Sequence, residues 1–171
     1  MAPVIIFLLF VLSLALQGSV FALAGPSGTH PDILLIITVA LALLSDERRG
    51  AIVGLCAGLF QDILFGSPLG FFAAVKMLAG TIAGLLSDYI YKDVTLAPMI
   101  LTVGFTFFSD LVTFFLLKLF NIGASSSLLV YLYPSTLQRM VLHFLIMGLI
   151  YPYLYRAQKK QLLFAEREEE E

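Results

Sequence analysis

Residues 54–70 read GLCAGLFQDILFGSPLG, a stretch in which a glycine or an aspartate recurs at every fourth position. Residues four apart lie on one face of a helix, so these positions form a stripe wherever the backbone stays helical. Small residues on such a stripe let a neighbouring backbone approach closely, and a carboxylate is costly to place in lipid. The stretch therefore predicts a helix-packing face that turns its aspartate inward. The stripe consists of Gly54, Gly58, Asp62, Gly66 and Gly70.

The end of this stretch, GSPLG at residues 66–70, has the composition of a turn. Its glycines can take a positive φ, and its proline cannot continue the preceding helix. Two interpretations of Asp62 follow from this position. In the first, the carboxylate has a specific functional role. In the second, the stripe is ordinary small-residue packing and Asp62 caps the next helix.

The composition is that of an integral membrane protein. Of the 171 residues, 60% are hydrophobic and 13% are charged, whereas a soluble domain carries about 25% charged residues. The mean hydropathy is +0.97. At roughly 20 apolar residues per spanning helix, a chain of this length allows five to seven helices and leaves no soluble core for an enzyme. We therefore expect an all-α membrane protein.

The apolar runs predict six transmembrane helices in a single polytopic domain, residues 1–155. A charged tail, 156–171, follows, and we expect it to be a solvated helix extension that frays into disorder. The first run ends in ALAG at residues 22–25, which resembles a signal-peptidase site. Its N-terminus carries no Lys or Arg, so we expect a retained helix. The predicted helices are about 3–23, 31–44, 51–65, 69–91, 94–120 and 134–155.

The connections between these helices are short and polar. Pro31 suits the first position of the second helix, and SDERRG at residues 45–50 predicts a charged hairpin after it. Lys92 and Asp93 predict a tight turn. The apolar stretch at residues 128–133 is too short to span, so we expect it at the membrane interface or tucked back into protein.

The basic residues predict the orientation. With six spans, seven Lys and Arg residues fall on the same side as the N-terminus, and the loops of the opposite side, 24–30, 66–68 and 121–133, contain none. Because basic loops stay in the cytoplasm, both termini are predicted to be cytoplasmic. The seven residues are Arg48, Arg49, Lys92, Arg156, Lys159, Lys160 and Arg167.

Polar side chains interrupt the apolar helices in what this topology makes the outer half of the membrane. They include Asp62, Lys76, Asp110, Arg139 and His143. Charges at that depth persist when they pair with one another or face a water-filled cavity, so we expect Asp62 to pair with Lys76 and Asp110 with Arg139. Such pairs either only lock the helices together or serve a function. His143 fits a hydrogen-bonded packing residue better than a ligand.

No motif in the sequence indicates catalysis, a metal site or a cofactor, because there is no Ser-His-Asp set, metal triad or phosphate loop. The single cysteine, Cys56, lies in an apolar run, which excludes a disulfide framework and predicts a small core residue. The net charge of -2 and the lack of a large basic cluster give no indication of nucleic-acid binding. We expect a protein that is not an enzyme.

Residues 31–70 resemble a known family. They contain PDIL at residues 31–34, the charged hairpin, and then G-x3-G-x3-D-x3-G-x2-L-G at residues 54–70, and in this they are similar to the rod shape-determining membrane protein MreD of bacteria. The length of the chain agrees. Asp110 and the Tyr151-Pro152 pair before the basic C-terminal segment also lie where that family has similar residues.

This resemblance implies a non-enzymatic scaffold subunit of the bacterial cell-elongation (rod) complex, located in the inner membrane and supporting peptidoglycan synthesis and cell shape. It implies direct binding to the bitopic protein MreC, and joint action with MreB filaments, RodA and a class B penicillin-binding transpeptidase. The implied fold is similar to the substrate-binding component of energy-coupling-factor transporters. That fold leaves a second function class open, a small-molecule-binding component of a vitamin-type transporter, which would need an outward pocket with polar groups aimed at a ligand.

Overall fold

The computed structural model describes residues 2–24, 30–65, 68–120 and 135–164. Over these four ranges the chain forms six α-helices and no strand, which confirms the all-helical prediction. A short 3₁₀ helix (Ser87–Tyr89) follows the fourth α-helix. The helices are α1 (Ala2–Ala24), α2 (Ile33–Leu43), α3 (Glu47–Phe65), α4 (Phe71–Leu86), α5 (Leu96–Leu119) and α6 (Ser135–Lys159).

Helix α2 lies at the centre of the bundle, and all of its residues are buried. Its sequence, ILLIITVALAL, has one polar side chain, and a helix that is apolar on every face is buried on every face. The other five helices all contact it. Its start differs from the prediction that Pro31 takes the first helical position. Asp32 is the N-cap, and its Oδ1 accepts a hydrogen bond from Leu35 N at 2.8 Å, a role for which a carboxylate is well suited.

Helices α3 and α4 pack backbone against backbone. A Cβ atom at Gly54 would lie 2.1 Å from Lys76 O, and a Cβ atom at Gly58 would lie 2.3 Å from Ala73 Cα. No side chain fits at such distances, so the predicted close approach at Gly54 and Gly58 is present. Further along the same two helices, Gly50 of α3 faces Gly80 of α4. We call the whole contact between the two helices the α3–α4 seam, and it consists of Gly50, Gly54, Gly58, Ala73, Lys76 and Gly80.

The stripe does not continue as one helical face to its last member. Helix α3 ends at Phe65, and Gly66 lies outside the described residues. Gly70 is the N-cap of α4 and has a φ of 95°, in the left-handed region that glycine adopts without strain. The glycine at the end of the stripe therefore begins the next helix.

The start of α3 and the position of its cysteine both differ from the prediction. The helix begins at Glu47, so most of the expected hairpin at residues 45–50 is its first turn, which Asp46 Oδ1 supports by accepting a hydrogen bond from Arg49 N at 2.8 Å. Cys56 is exposed, not part of the core. The physical reason is that the seam turns the glycine face of α3 inward and leaves Cys56 on the other side.

The connection from α4 to α5 contains the predicted turn at Lys92 and Asp93. Helix α4 ends before the predicted residue 91, because the 3₁₀ helix follows it. The turn is held by α6, where the buried Tyr151 hydroxyl donates to Lys92 O at 3.1 Å and the Tyr155 hydroxyl hydrogen-bonds Asp93 Oδ1. This gives Tyr151 a structural role at that end of the bundle.

The chain after α6 folds back onto the bundle. Helix α6 runs to Lys159, past the predicted end at residue 155, and Leu163 and Phe164 are buried. Gln158 fixes this return, because its Nε2 donates to Phe164 O at 3.2 Å and its Oε1 accepts from Phe164 N at 3.0 Å. Burial of these apolar side chains removes them from water. The helix extension expected after residue 155 is present as far as Lys159, and Arg156 and residues 159–162 are exposed as expected. The burial of Leu163 and Phe164 differs from the solvated tail that we expected, and residues 165–171 lie outside the described part of the chain.

Three helices of the described chain are long and apolar enough to cross a membrane. Two shorter apolar helical segments are Pro3–Ser19, within α1, and Ile33–Leu43, which is α2. The number of spans therefore stays a prediction, and the segment expected at the membrane interface, 128–133, lies outside the described residues. The three long candidates are Phe71–Tyr89, Leu96–Leu119 and Thr136–Lys159.

Candidate functional site

Asp62, the acidic member of the stripe, is buried near the end of α3 and faces the start of α4. Its Oδ2 accepts hydrogen bonds from Gly70 N at 2.9 Å and from Ala73 N at 3.3 Å, and its Oδ1 accepts one from Phe72 N at 2.9 Å. The first amides of a helix have no partner within the helix and form the positive end of its dipole. These amides provide hydrogen-bond donors for the Asp62 carboxylate without a basic side chain. This is the arrangement expected if Asp62 caps the next helix.

Lys76 does not pair with Asp62, so that predicted ion pair is wrong. The fully buried Lys76 Nζ lies 2.6 Å from Asp32 Oδ2 and 5.5 Å from the centre of the Phe72 ring. The physical reason is that the first-turn amides of α4 already hold Asp62. The Lys76 side chain reaches the start of the central helix α2 instead, where Asp32 caps α2 with one oxygen and binds the ammonium with the other.

His143 of α6 joins Asp32 to α5. Asp32 N donates to His143 Nε2 at 2.8 Å, so this nitrogen carries no proton. In the neutral ring Nδ1 then carries the proton and donates it to Thr106 Oγ1 at 2.7 Å, while Thr106 Oγ1 donates its own proton to Thr102 O at 2.7 Å. These hydrogen bonds assign the tautomer of His143 and confirm that it is a hydrogen-bonded packing residue.

We call Asp32, Lys76, Thr106 and His143 the central network. It joins four helices, α2, α4, α5 and α6, through side chains that come from widely separated parts of the sequence. Lys76, Thr106 and His143 are each no more than 1% exposed, and the Asp32 side chain is 18% exposed. In surroundings of low polarity, opposite charges attract strongly and cost most when one of them is left alone. The network therefore fixes the relative positions of the four helices.

Asp110 and Arg139 form the second predicted pair, which the structure confirms. Arg139 Nη2 donates to Asp110 Oδ2 at 2.9 Å, and Thr136 Oγ1 donates to the same oxygen at 2.7 Å. These three residues, the Asp110 cluster, link α5 to α6. The Asp110 side chain is 7% exposed and the Arg139 side chain is 25% exposed, so this cluster lies nearer to the surface than the central network.

The five polar residues expected to form one layer thus fall into three groups. Lys76 and His143 share the central network, Asp110 and Arg139 share a cluster between α5 and α6, and Asp62 stands apart as a helix cap. No single site contains them all.

Two members of the central network were missing from the predicted layer. The predicted layer does not include Asp32, although the predicted topology puts this residue, at the start of α2, on the same side of the membrane as Lys76. Thr106 had a clearer signal, because Thr102, Thr106 and Asp110 are four residues apart and so share one face of α5. That polar face could have predicted which side of α5 meets α6.

The chemistry of these groups is that of internal pairing. The Lys76 ammonium faces a carboxylate, the Arg139 guanidinium faces another, and both nitrogens of His143 have partners. Among the residues that the structure describes, no group of three or more His, Cys, Asp or Glu side chains could hold a metal ion. The arrangement is suited to holding helices together.

The sequence matches the model of a known protein family. A family model described as rod shape-determining protein MreD matches residues 1–161, nearly the whole chain. No curated protein and no solved structure matches the sequence.

Proposed function

Because the chain belongs to the MreD family of rod shape-determining membrane proteins, we propose that it is a non-enzymatic scaffold subunit of the bacterial cell-elongation complex. In this role it supports peptidoglycan synthesis by holding other components together in the membrane. It binds MreC directly and works in the same complex as MreB filaments, RodA and a class B penicillin-binding transpeptidase. These partners follow from the resemblance to the family.

The observation that supports a scaffold is the internal pairing of the buried charges. A component that binds a vitamin-sized molecule needs polar groups directed into a pocket. In this chain Lys76 and Asp32 face each other at 2.6 Å, and Arg139 and Asp110 face each other at 2.9 Å. Groups that bind one another make a stable bundle whose outer surface is available to partners.

The outer surface has the chemistry that a bitopic partner requires. A single-span protein meets its neighbours in the bilayer through one apolar helix, and such helices associate by close packing of their side chains. Helices α5 and α6 carry large apolar side chains that the bundle leaves exposed. Those with at least 55% exposure are Ile100, Phe115, Leu119, Leu137, Val141, Leu145, Leu149 and Tyr153, together with Leu96 at the start of α5.

We place the protein in the inner membrane with six spans, both termini in the cytoplasm, and a fold similar to the substrate-binding component of energy-coupling-factor transporters. The asymmetry of the basic residues supports this orientation. A reporter fused after Glu171 should be cytoplasmic, and a reporter inserted at Ser126 should be periplasmic. Reporters on the same side would contradict the six-span topology.

The scaffold role is tested by affinity purification of the tagged chain from membranes in a mild detergent. We expect MreC to co-purify with the wild type, and less of it with Asp32→Asn, which breaks the central network. Tyr89→Phe is the matched control, because Tyr89 is 85% exposed and outside the network. Co-purification of a vitamin-sized ligand without MreC would favour the transporter component instead.

A further inference from the structure

An apolar groove lies between α1 and α3, and none of its lining residues belongs to the central network or to the Asp110 cluster. Its volume is about 320 Å³, within the range of sites that bind small molecules. Phe7 and Phe10 line it from α1, and Ile52 and Phe60 line it from α3. Apart from Arg49, the side chains that line it carry no charge.

The groove opens away from the bundle. The Phe7 side chain is 47% exposed and the Ile52 side chain is 60% exposed, although both line the cavity. In a membrane protein, large apolar side chains exposed on a helix surface lie among acyl chains. The groove therefore opens to the bilayer and not to water.

The length of the groove matches one leaflet of a membrane. Arg49 and Phe60 are eleven positions apart on α3, and at 1.5 Å per residue this separation is about 16 Å along the helix axis. Half of a hydrocarbon core that is about 30 Å thick is about 15 Å. A chain of methylene groups that enters beside Arg49 would reach the bilayer midplane near Phe60.

The charge at the end of the groove suits an anion. The Arg49 side chain is 35% exposed, its Nε lies 3.4 Å from Asp46 Oδ2, and its guanidinium carbon lies 5.7 Å from the centre of the Phe164 ring. A guanidinium presents five N–H donors in one plane and matches the oxygens of a phosphate. It can therefore hold a phosphate next to the carboxylate that it already contacts.

Basic residues next to Arg49 and shortly before Phe164 in the sequence add positive charge, against the carboxylates of Asp46 and Glu47. Arg48 precedes Arg49 and is exposed, and the exposed Lys159 and Lys160 come shortly before Phe164, which itself lines the groove. Basic residues at the edge of an apolar surface attract the headgroups of anionic lipids.

We propose that this groove binds one anionic phospholipid of the surrounding leaflet, with an acyl chain along Phe7, Ile52 and Phe60 and the headgroup phosphate against Arg49. The groove supplies apolar walls of the right length, and the guanidinium supplies the preference for an anionic headgroup. This site is separate from the residues that support the scaffold role, so the two proposals can fail independently.

The test uses tryptophan fluorescence, because the chain contains no tryptophan. Ile52→Trp places a single indole in the groove, and the control Tyr153→Trp places one on α6. Each indole is three residues from an arginine, Arg49 in the groove and Arg156 on α6. Both positions are at least 60% exposed, so both variants should fold. Each is reconstituted in vesicles of phosphatidylcholine and phosphatidylglycerol, with bromine on the acyl chains of one lipid at a time.

We expect the lipid next to the Ile52→Trp indole, detected by quenching of its fluorescence, to be phosphatidylglycerol in about fivefold preference to phosphatidylcholine. One basic residue has an effect of this size at an anionic membrane surface. The preference at the Tyr153→Trp indole should be smaller. Adding Arg49→Gln to Ile52→Trp should remove most of the preference, and adding Arg49→Lys should keep part of it. Equal preferences at the two indoles, or a preference that survives Arg49→Gln, would overturn the proposal. An Ile52→Trp indole that no brominated lipid quenches would overturn it as well, because protein would then cover the groove.

The unsubstituted chain provides a second measurement. Cys56, the single cysteine of the sequence, lines the same groove. In detergent, added phosphatidylglycerol should slow the alkylation of Cys56 by N-ethylmaleimide more than added phosphatidylcholine does. Equal rates with the two lipids would contradict the headgroup preference in the native protein.

Discussion

Asp62 and Asp110 are both buried aspartates on helices of the bundle, yet the protein neutralises them in different ways. Asp62 accepts three hydrogen bonds from backbone amides at the start of α4. Asp110 accepts its hydrogen bonds from the side chains of Thr136 and Arg139 on α6. One carboxylate is held by a helix end and the other by a counter-charge.

The helices that carry these two aspartates are joined in correspondingly different ways. At the α3–α4 seam the backbones touch, and a Cβ at Gly54 would meet a backbone oxygen. Helices α5 and α6 meet through side chains, and a Cβ at Gly148 of α6 would lie 2.7 Å from the side-chain Cε of Met99 on α5. A helix contact made by backbone atoms excludes residues larger than glycine, whereas a helix contact made by side chains depends on the charges of those side chains. Each prediction below tests one side of this difference.

The largest effect is expected for the ion pair of the central network. Asp32→Asn leaves the fully buried Lys76 ammonium without its carboxylate, and removing one partner of a buried pair costs about 3–5 kcal/mol. The thermal stability of the purified protein in detergent should fall accordingly. Adding Lys76→Met should restore part of the loss, because the uncompensated charge is then gone. A double variant no more stable than Asp32→Asn alone would show that the two side chains are not coupled.

The next effect concerns the seam. Gly54→Ala places a methyl group 2.1 Å from Lys76 O, so the helices must separate, and overpacking of this kind costs about 1–3 kcal/mol. Gly104→Ala is the matched control, because it adds the same methyl group in open space and gains up to about 1 kcal/mol of helix propensity. The two variants should shift the melting temperature in opposite directions. Equal shifts would contradict the backbone contact at the α3–α4 seam.

The Asp110 cluster should respond less than the central network. In Asp110→Asn the Arg139 guanidinium loses its counter-charge, but the 25% exposure of that side chain leaves it partly hydrated. Loss of a hydrogen bond between charged groups costs about 1.5–3 kcal/mol, and we expect the lower end of that range. The melting temperature in detergent measures it, with Asp32→Asn as the reference. A larger loss for Asp110→Asn than for Asp32→Asn would reverse the order that burial predicts.

The sequence was sufficient for those features that depend on periodicity and charge. The positions of Gly54 and Gly58 predicted a close contact, and the charges of Asp110 and Arg139 predicted a pair. The exposure of Cys56 could also have been predicted, since it is two positions from each of these glycines and so lies on the opposite side of α3.

The partner of Lys76 could not be predicted in this way. Helix α2 is apolar on every face, so its sequence gives no indication of which helices surround it or that Asp32 would point toward α4. The burial of Leu163 and Phe164 has a similar cause, because the short apolar run at residues 162–165 within a charged segment shows no periodicity. Both features depend on how the bundle assembles, which local patterns do not encode.

The smallest effect is expected for Asp62→Asn, a substitution that distinguishes a helix cap from an ion pair. In Asp62→Asn one carboxylate oxygen becomes an NH₂ group that cannot accept a hydrogen bond, so at least one of the three amide hydrogen bonds is lost together with the charge that the helix dipole stabilises, and the cost should be about 1 kcal/mol. Asp62→Ala removes all three hydrogen bonds and should cost up to about 2 kcal/mol. Because Lys76 binds Asp32, adding Lys76→Met to Asp62→Asn should give the sum of the two separate losses in thermal stability. Rescue of Asp62→Asn by Lys76→Met would instead mean that the ammonium depends on Asp62, and the contrast between a carboxylate held by a helix end and one held by a counter-charge would fail.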